Sequence, residues 1–230
     1  MIWGAVIVAA GRGTRFGKPK QLVPLAGLPM AGWSIRAFDA MDEIAEIVVV
    51  TEPEWIGAMG ELAATIARGN VRVVAGGASR QESVYNGVVA LSPACEGVLV
   101  HDGARPLVRA DEVRAAMREV GPGRAAVLAV PVVDTIKIVD PGTRVVRQTL
   151  ERSELWSAQT PQLSLRSRLL DAHERARRSG LEATDDVALI EAVGDDVVVV
   201  PASPENFKIT YPSDVLRAEA ILHERLEQPR

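Results

Sequence analysis

Six short runs rich in β-branched residues recur along the chain, separated by segments with apolar residues at every third or fourth position. The runs cover residues 5–9, 47–51, 71–74, 98–101, 126–130 and 197–200, and their nearly continuous apolar character marks strands buried on both faces. The intervening periodicity predicts helices over 30–41, 54–67, 81–91, 111–120, 165–179, 185–193 and 213–226. Asp111 and Ser213 are candidate N-caps, and Gly69, Gly121 and Gly180 follow helix ends. Strand and helix in alternation dictate an α/β protein: a single Rossmann-like domain over residues 1–230, with a mostly parallel, twisted sheet flanked by helices. Ligands of such sheets bind beyond the carboxyl ends of the strands.

The alternation fails between 132 and 160. There IKIVD, Pro141-Gly142 and TRVVRQTL read as two extended segments joined by a turn. A lone hairpin is barely stable in water, so residues 132–159 are expected to form a β-arm that packs against a second subunit in a homodimer.

Composition excludes several classes. A net charge of −4 with no basic block argues against general nucleic-acid binding. Cys95 is the sole cysteine, which rules out intrachain disulfides and a cysteine metal cluster. The start MIWGAVIVAAG lacks a basic n-region and reads as a first strand, and no apolar stretch approaches a membrane span. A cytoplasmic protein is expected. Of 26 basic residues only Lys18, Lys20, Lys137 and Lys208 are lysines, and a compact ammonium differs from a guanidinium where charge must approach a phosphate through a narrow gap.

The first strand runs into AAGRGTRFGKPKQ. A P-loop would need glycine where Arg12 stands and Ser or Thr where Pro19 stands. A dinucleotide fingerprint fails as well, because Gly11 to Gly17 is one residue too long and Pro19 interrupts a helix. Backbone N–H groups of such a turn still suit an anion, with Arg15 and Lys20 close behind. Other strand ends add Ser79-Arg80-Gln81-Glu82-Ser83, then His101-Asp102-Gly103-Ala104-Arg105, then Asp134-Thr135-Ile136-Lys137, then Asn206-Phe207-Lys208. Several cations, one or two carboxylates and no covalent nucleophile fit phosphoryl chemistry, in which positioning and charge neutralisation do the catalysis. A carboxylate there suits Mg²⁺. Taken singly, Asp102 fits a pair with Arg105 equally well, and His101 fits a packed side chain better than a catalytic one.

The motifs AAGRGTRFGKPKQ, GGASRQESVYNGV, HDGARP, DTIK, LWSAQTPQ, TDD and NFKIT, in that order over nearly the whole chain, resemble the 2-C-methyl-D-erythritol 4-phosphate cytidylyltransferase family of the non-mevalonate isoprenoid pathway. The resemblance implies a nucleotide pocket lined by the backbones of Ala9, Ala10, Gly11 and Gly13, with Gly77 and Ser83 fixing base and ribose. It implies that Arg15, Lys20 and Lys208 are catalytic and that Asp102 holds Mg²⁺. Arg105, Thr135, Thr160 and Lys208 would bind the acceptor polyol phosphate, and Arg152 would reach the neighbouring subunit's substrate. Gly103 and Ala78 depart from the usual pattern without removing a required side chain. No fused cyclodiphosphate synthase is expected after the last helix.

The implied reaction is attack of the acceptor's phosphate oxygen on the α-phosphorus of CTP, with pyrophosphate leaving. An acceptor already ionised needs no general base, in keeping with the missing histidine machinery. A ribitol 5-phosphate cytidylyltransferase shares most of these motifs, and a catalytically inactive nucleotide sensor is the rival from another class.

Overall fold

The computed structural model describes residues 1–11 and 20–227. The chain runs through β1 (Trp3–Val8), β2 (Pro24–Leu25), β3 (Leu28–Pro29), α1 (Met30–Asp39), β4 (Ile44–Thr51), α2 (Ile56–Ile66), β5 (Val71–Ala75) and α3 (Arg80–Ala90). It continues with β6 (Gly97–Asp102), α4 (Ala110–Glu119), β7 (Arg124–Pro131), β8 (Lys137–Val139), β9 (Val146–Thr149) and β10 (Trp156–Leu165). The last elements are α5 (Arg166–Ser179), α6 (Asp186–Ala192), β11 (Asp196–Pro201) and α7 (Pro212–Glu227).

Seven strands form one sheet in the order β11-β7-β10-β6-β1-β4-β5. It is parallel except at β10, which runs antiparallel to both β6 and β7. The α/β class with a mostly parallel sheet is therefore as expected. Alternate residues of each strand feed opposite layers. Ala5 and Ile7 pack with Ile35, Phe38 and Met59 on one face. Val6 packs with Val48, Val50, Val84 and Leu169 on the other. The chain leaves β1 towards β4 and β5, then returns through α3 to β6 on the far side of β1. That reversal opens a crevice beyond the ends of β1 and β6, where Val8 lies opposite Asp102.

A smaller apolar cluster fastens the C-terminal segment to this end of the sheet. Ala218 and Leu222 of α7 pack with Leu25, Met30, Trp33, Leu107 and Ile209. The loop carrying Lys208 is thereby drawn over the crevice.

Two expectations change in detail. Helix α4 starts at Ala110 with Arg109 at the N-cap, so Asp111 lies in the first turn. Helix α7 starts at Pro212, which puts Ser213 inside it, while Asp214 accepts the N–H groups of Thr210 and Tyr211 at 2.7 and 2.8 Å. Gly180 does terminate α5, in the left-handed conformation at φ 70°. A larger difference is β10, which sequence reading leaves out. Its WSAQTPQLSL combines Pro161 with five polar residues and looks like a loop. The proline sits where the ladder to β7 shifts register, between Ala158 and Gln162, a placement that spares the sheet a missing donor.

The expected hairpin is present as β8 paired with β9. Its apolar side chains face solvent, with Val133 80% and Val145 62% exposed, and Ile138, Val139, Val146 and Trp156 about half so.

Helix α3 lies unusually close to the sheet at Gly87. A Cβ there would stand 2.5 Å from a Val6 methyl and 2.7 Å from a Val50 methyl. Gly87→Val leaves helix propensity little changed and so isolates the clash, with an expected loss of about 2–3 kcal/mol. A lowered urea midpoint would register it, whereas an unchanged midpoint would mean that α3 can lift off the sheet.

Candidate active site

The crevice is a cleft of about 350 Å³. Its floor is backbone. Val8, Ala10 and Gly11 line one side, and Gly77 and Ser83 line another. Small residues are obligatory here: a Cβ on Gly76 would lie 2.7 Å from the Ala10 Cβ, and one on Gly77 would meet the Glu82 side chain at 2.3 Å. The N-terminus of α3 points its donors at the same space. Ser79 caps it by accepting the Glu82 N–H at 3.1 Å, and Glu82 reaches back to the Ala78 N–H at 2.8 Å. The Ser83 hydroxyl accepts from the Gly77 N–H at 3.0 Å and donates to the Ser79 carbonyl at 2.8 Å, tying the glycine turn to the helix.

Charged groups line the opposite wall. Lys208 Nζ donates to Asp102 Oδ2 at 2.7 Å. Arg80 Nε lies 3.5 Å from Asp102 Oδ1, and Arg105 Nε lies 3.9 Å from Oδ2. Burial would raise the Asp102 pKa, but Lys208, Arg80 and Arg105 outweigh it and hold the carboxyl at about 2. Lys20 joins the group by donating to the Ile209 carbonyl at 3.0 Å, one residue from Lys208.

Positions that the resemblance implied fall into three groups. Ala10, Gly11, Lys20, Gly77, Ser83, Asp102 and Lys208 line the cleft together. Gly13 and Arg15, with Lys18, lie outside the described residues. The rest sit elsewhere. Ala9 is buried just beneath the floor. Thr135 and Arg152 share a hollow on the arm with Val132 and Trp156, where Arg152 donates to the Val133 carbonyl at 3.0 Å. Lys137 bridges the hairpin to Thr149 at 2.7 Å. Arg105 is largely buried and donates to the Asn206 carbonyl at 2.8 Å.

Thr160 is buried, and its hydroxyl accepts the backbone N–H of Asp102 at 3.0 Å. In this arrangement it positions the aspartate and is not itself a wall of the cleft. Having accepted that N–H, the hydroxyl turns its own hydrogen to His101 Nδ1 at 3.1 Å. Nδ1 is then an acceptor, so Nε2 carries the ring proton and donates to the Arg105 carbonyl at 3.0 Å. His101 is fully buried, edge-on to Phe38 at 5.1 Å, and burial depresses its pKa to about 4. It is a neutral strut for the 101–105 turn, as its packed reading foresaw.

Two residues without an assigned role in the sequence stand beside the cleft. Arg80 grips the buried Asp186 with two hydrogen bonds, at 3.1 and 2.8 Å. The TDD motif was the signal that could have found Asp186.

Comparison with known proteins bears on this geometry. The sequence profile of the 2-C-methyl-D-erythritol 4-phosphate cytidylyltransferase family matches residues 3–224. The protein of that description from Pelotomaculum thermopropionicum is 42% identical, over 96% of this chain and 94% of its own. The chloroplastic one of Oryza sativa subsp. japonica is 40% identical, over 96% of this chain and 74% of its own. The crystal structure of that cytidylyltransferase from Thermus thermophilus matches with a TM-score of 0.75 at 35% identity, covering 97% of this chain and 100% of that one. The 4-diphosphocytidyl-2C-methyl-D-erythritol synthase of Anaerococcus prevotii matches with a TM-score of 0.85 at 28% identity, covering 96% and 98%.

The His101 strut has a pH signature. Its pKa is lower in the folded chain than when unfolded, so its contribution is complete above about pH 6.5 and is lost as pH falls towards about 4. Between about pH 7.5 and about pH 5 this amounts to roughly 2 kcal/mol. His101→Gln should unfold with a correspondingly shallower pH dependence in urea titrations. An unchanged slope would place the acid sensitivity elsewhere, His173 being the next buried imidazole with a depressed pKa.

Proposed function

Because the chain belongs to the 2-C-methyl-D-erythritol 4-phosphate cytidylyltransferase family and transfers a cytidylyl group from CTP to that acceptor, we propose that the transfer takes place in the cleft beyond β1 and β6. The observation that carries this is the meeting of Lys20, Lys208 and Asp102 over a floor of backbone donors. The floor at Ala10 and Gly11 and the N-terminus of α3 receive the phosphates of CTP, while Gly77 and Ser83 fix its base and ribose. The acceptor phosphate oxygen attacks the α-phosphorus in line, the bond to the β-phosphate oxygen breaks, and pyrophosphate leaves, giving 4-diphosphocytidyl-2-C-methyl-D-erythritol. The nucleophile is already an anion, so the buried neutral His101 is not required as a base. Lys20 and Lys208, with Arg15 from outside the described residues, stabilise charge that builds at the α-phosphate.

Asp102 suits Mg²⁺ as a single ionised carboxylate at the cleft edge, since this ion is commonly held by one or two carboxylates plus substrate phosphates and waters. Among the described residues no cluster of three or more His, Cys, Asp and Glu competes with it. Bound there, Mg²⁺ supplies neutralisation of the phosphate oxygens. Lys208, 43% exposed at the side chain, can exchange Asp102 for a phosphate when the nucleotide arrives.

Acceptor recognition is divided. Arg105 stands beside Asp102, whereas Thr135 and Arg152 sit on the arm. The arm's exposed valines, isoleucine and tryptophan support a two-fold dimer in which Arg152 grips the acceptor phosphate of the partner's site. The reading places the enzyme in the cytoplasm; among the described residues no helix is long and apolar enough to cross a membrane.

Incubation with CTP and each acceptor in turn tests the reading. Pyrophosphate is expected with 2-C-methyl-D-erythritol 4-phosphate and not with ribitol 5-phosphate; the reverse would overturn the acceptor, and neither would overturn catalysis.

The dimer is tested by mixing. Lys20→Ala should lose about two orders of magnitude in turnover with a much smaller loss of CTP affinity. Arg152→Ala should lose activity through its partner's site. In a mixed dimer one site then carries both lesions and the other neither. Random pairing makes half the dimers mixed, so co-expression should restore roughly a quarter of wild-type activity. Confirmed mixed dimers without recovery would assign Arg152 to its own subunit's site or to none.

A further inference from the structure

Among the described residues Asp102 faces three cations, one of which touches it closely. Lys208 donates at 2.7 Å, whereas the two guanidiniums stand off at 3.5 and 3.9 Å. Each guanidinium is held by a nearer acceptor. Arg105 is drawn to the Asn206 carbonyl at 2.8 Å, and Arg80 is forked onto Asp186 at 2.8 and 3.1 Å. The distinction matters because a planar guanidinium free to turn would close both of its donors on a carboxylate. An ammonium on a flexible stem makes a single exchangeable contact.

Asp186 is built as an anchor. It is buried, and its backbone N–H and that of Val187 both donate to Gln162 Oε1 at 2.8 and 3.0 Å. Gln162 in turn donates to Asp185, whose other oxygen caps α6 at the Ala188 N–H. The anchor therefore hangs from β10 and from the start of α6, on the far side of Arg80 from the cleft.

We propose that Asp186 is a positioning residue that holds the Arg80 guanidinium back from Asp102 and so leaves the Asp102 carboxylate open to the divalent cation accompanying the nucleotide. This rests on the reading of Asp102 as the metal carboxylate. It makes Arg80 a restrained neighbour of the site, with a charge that steadies Asp102 at a distance and would block it in contact.

Mn²⁺ titrated into the protein with CTP present, with free Mn²⁺ followed by electron paramagnetic resonance, tests this alongside the Mg²⁺ dependence of turnover. Asp186→Asn is nearly isosteric and keeps the backbone bonds to Gln162, but it releases Arg80. The Mn²⁺ concentration for half-saturation should rise about tenfold, in the range seen when an outer partner of a metal ligand is lost. Removing the released charge as well, in Arg80→Gln/Asp186→Asn, should bring it back towards the wild-type value. No rise in the single variant overturns the proposal, and so does a double variant no better than the single. Asp102→Asn is run in parallel. If it weakens Mn²⁺ binding and Asp186→Asn does not, the inference alone fails; if Asp102→Asn itself leaves Mn²⁺ binding unchanged, the metal reading fails and takes the inference with it. Should Asp186→Asn not fold, Asp186→Glu carries the test: it keeps the pair with Arg80 but moves the guanidinium towards Asp102, so the proposal expects weaker Mn²⁺ binding that Arg80→Gln relieves, and unchanged binding overturns it.

Discussion

The site depends on the register between β1 and β6. Both strands are buried on both faces, so polarity alone distinguishes poorly between one pairing and its neighbour. Shape does the selecting. Trp3 lies opposite Gly97 at the first rung, and its indole occupies the space where a Cβ on Gly97 would be, with ring atoms at 2.6 to 2.8 Å from that position. A slip by one residue would drive the ring into a valine. With that end locked, five further rungs bring Val8 opposite Asp102 at the other. The glycine-rich floor and the carboxylate are neighbours because a tryptophan fits a glycine at the far end of the same two strands.

Buried polar groups then distribute the charges around that point. Strand β10 runs antiparallel to both of its neighbours, and its polar residues serve three separate segments. Gln159 accepts from Asn206 at 2.9 Å and steadies the loop that carries Lys208. Thr160 holds the Asp102 N–H and orients His101. Gln162 fixes the backbone of Asp186 and, through it, Arg80. A buried amide or hydroxyl without partners costs about 1–3 kcal/mol, so each of these contacts is enforced from both ends. The charged wall is thus hung from a strand that lies behind it.

This explains which features could be read in the sequence. The strands that carry Val8 and Asp102 announce themselves by composition, because parallel strands buried on both faces must be apolar throughout. The hairpin around Pro141-Gly142 has a local chemical cause and was equally legible. Strand β10 was not, since its buried side chains are largely polar and their hydrogen-bond partners lie 23 to 59 residues away in the chain. The pairing of Arg80 with Asp186 escaped for the same reason: each lies in a quoted motif, but they meet across 106 residues and nothing local joins them. Thr160 shows what the sequence leaves open: its hydroxyl is buried against the Asp102 N–H, a contact that residue type alone does not reveal. Family resemblance located the right neighbourhood, while only packing reveals which way a hydroxyl is spent.

Charge balance gives a physical reason for keeping Arg152 apart from the cleft. Lys20, Lys208, Arg80 and Arg105 already crowd the space around one carboxylate, with Asp186 and two main-chain carbonyls offsetting the excess. A further guanidinium built into the same wall would have to be tolerated in the empty protein, without a second anion to neutralise it. On the arm, Arg152 rests in solvent against the Val133 carbonyl, where water screens its charge. Under the dimeric reading the cation meets the site only when two chains assemble, and its field is needed only when both anionic substrates are present. On that reading, dividing the cations between the sheet and an external arm would let the pocket hold two phosphorylated ligands without the folded monomer carrying the repulsion of every group that binds them.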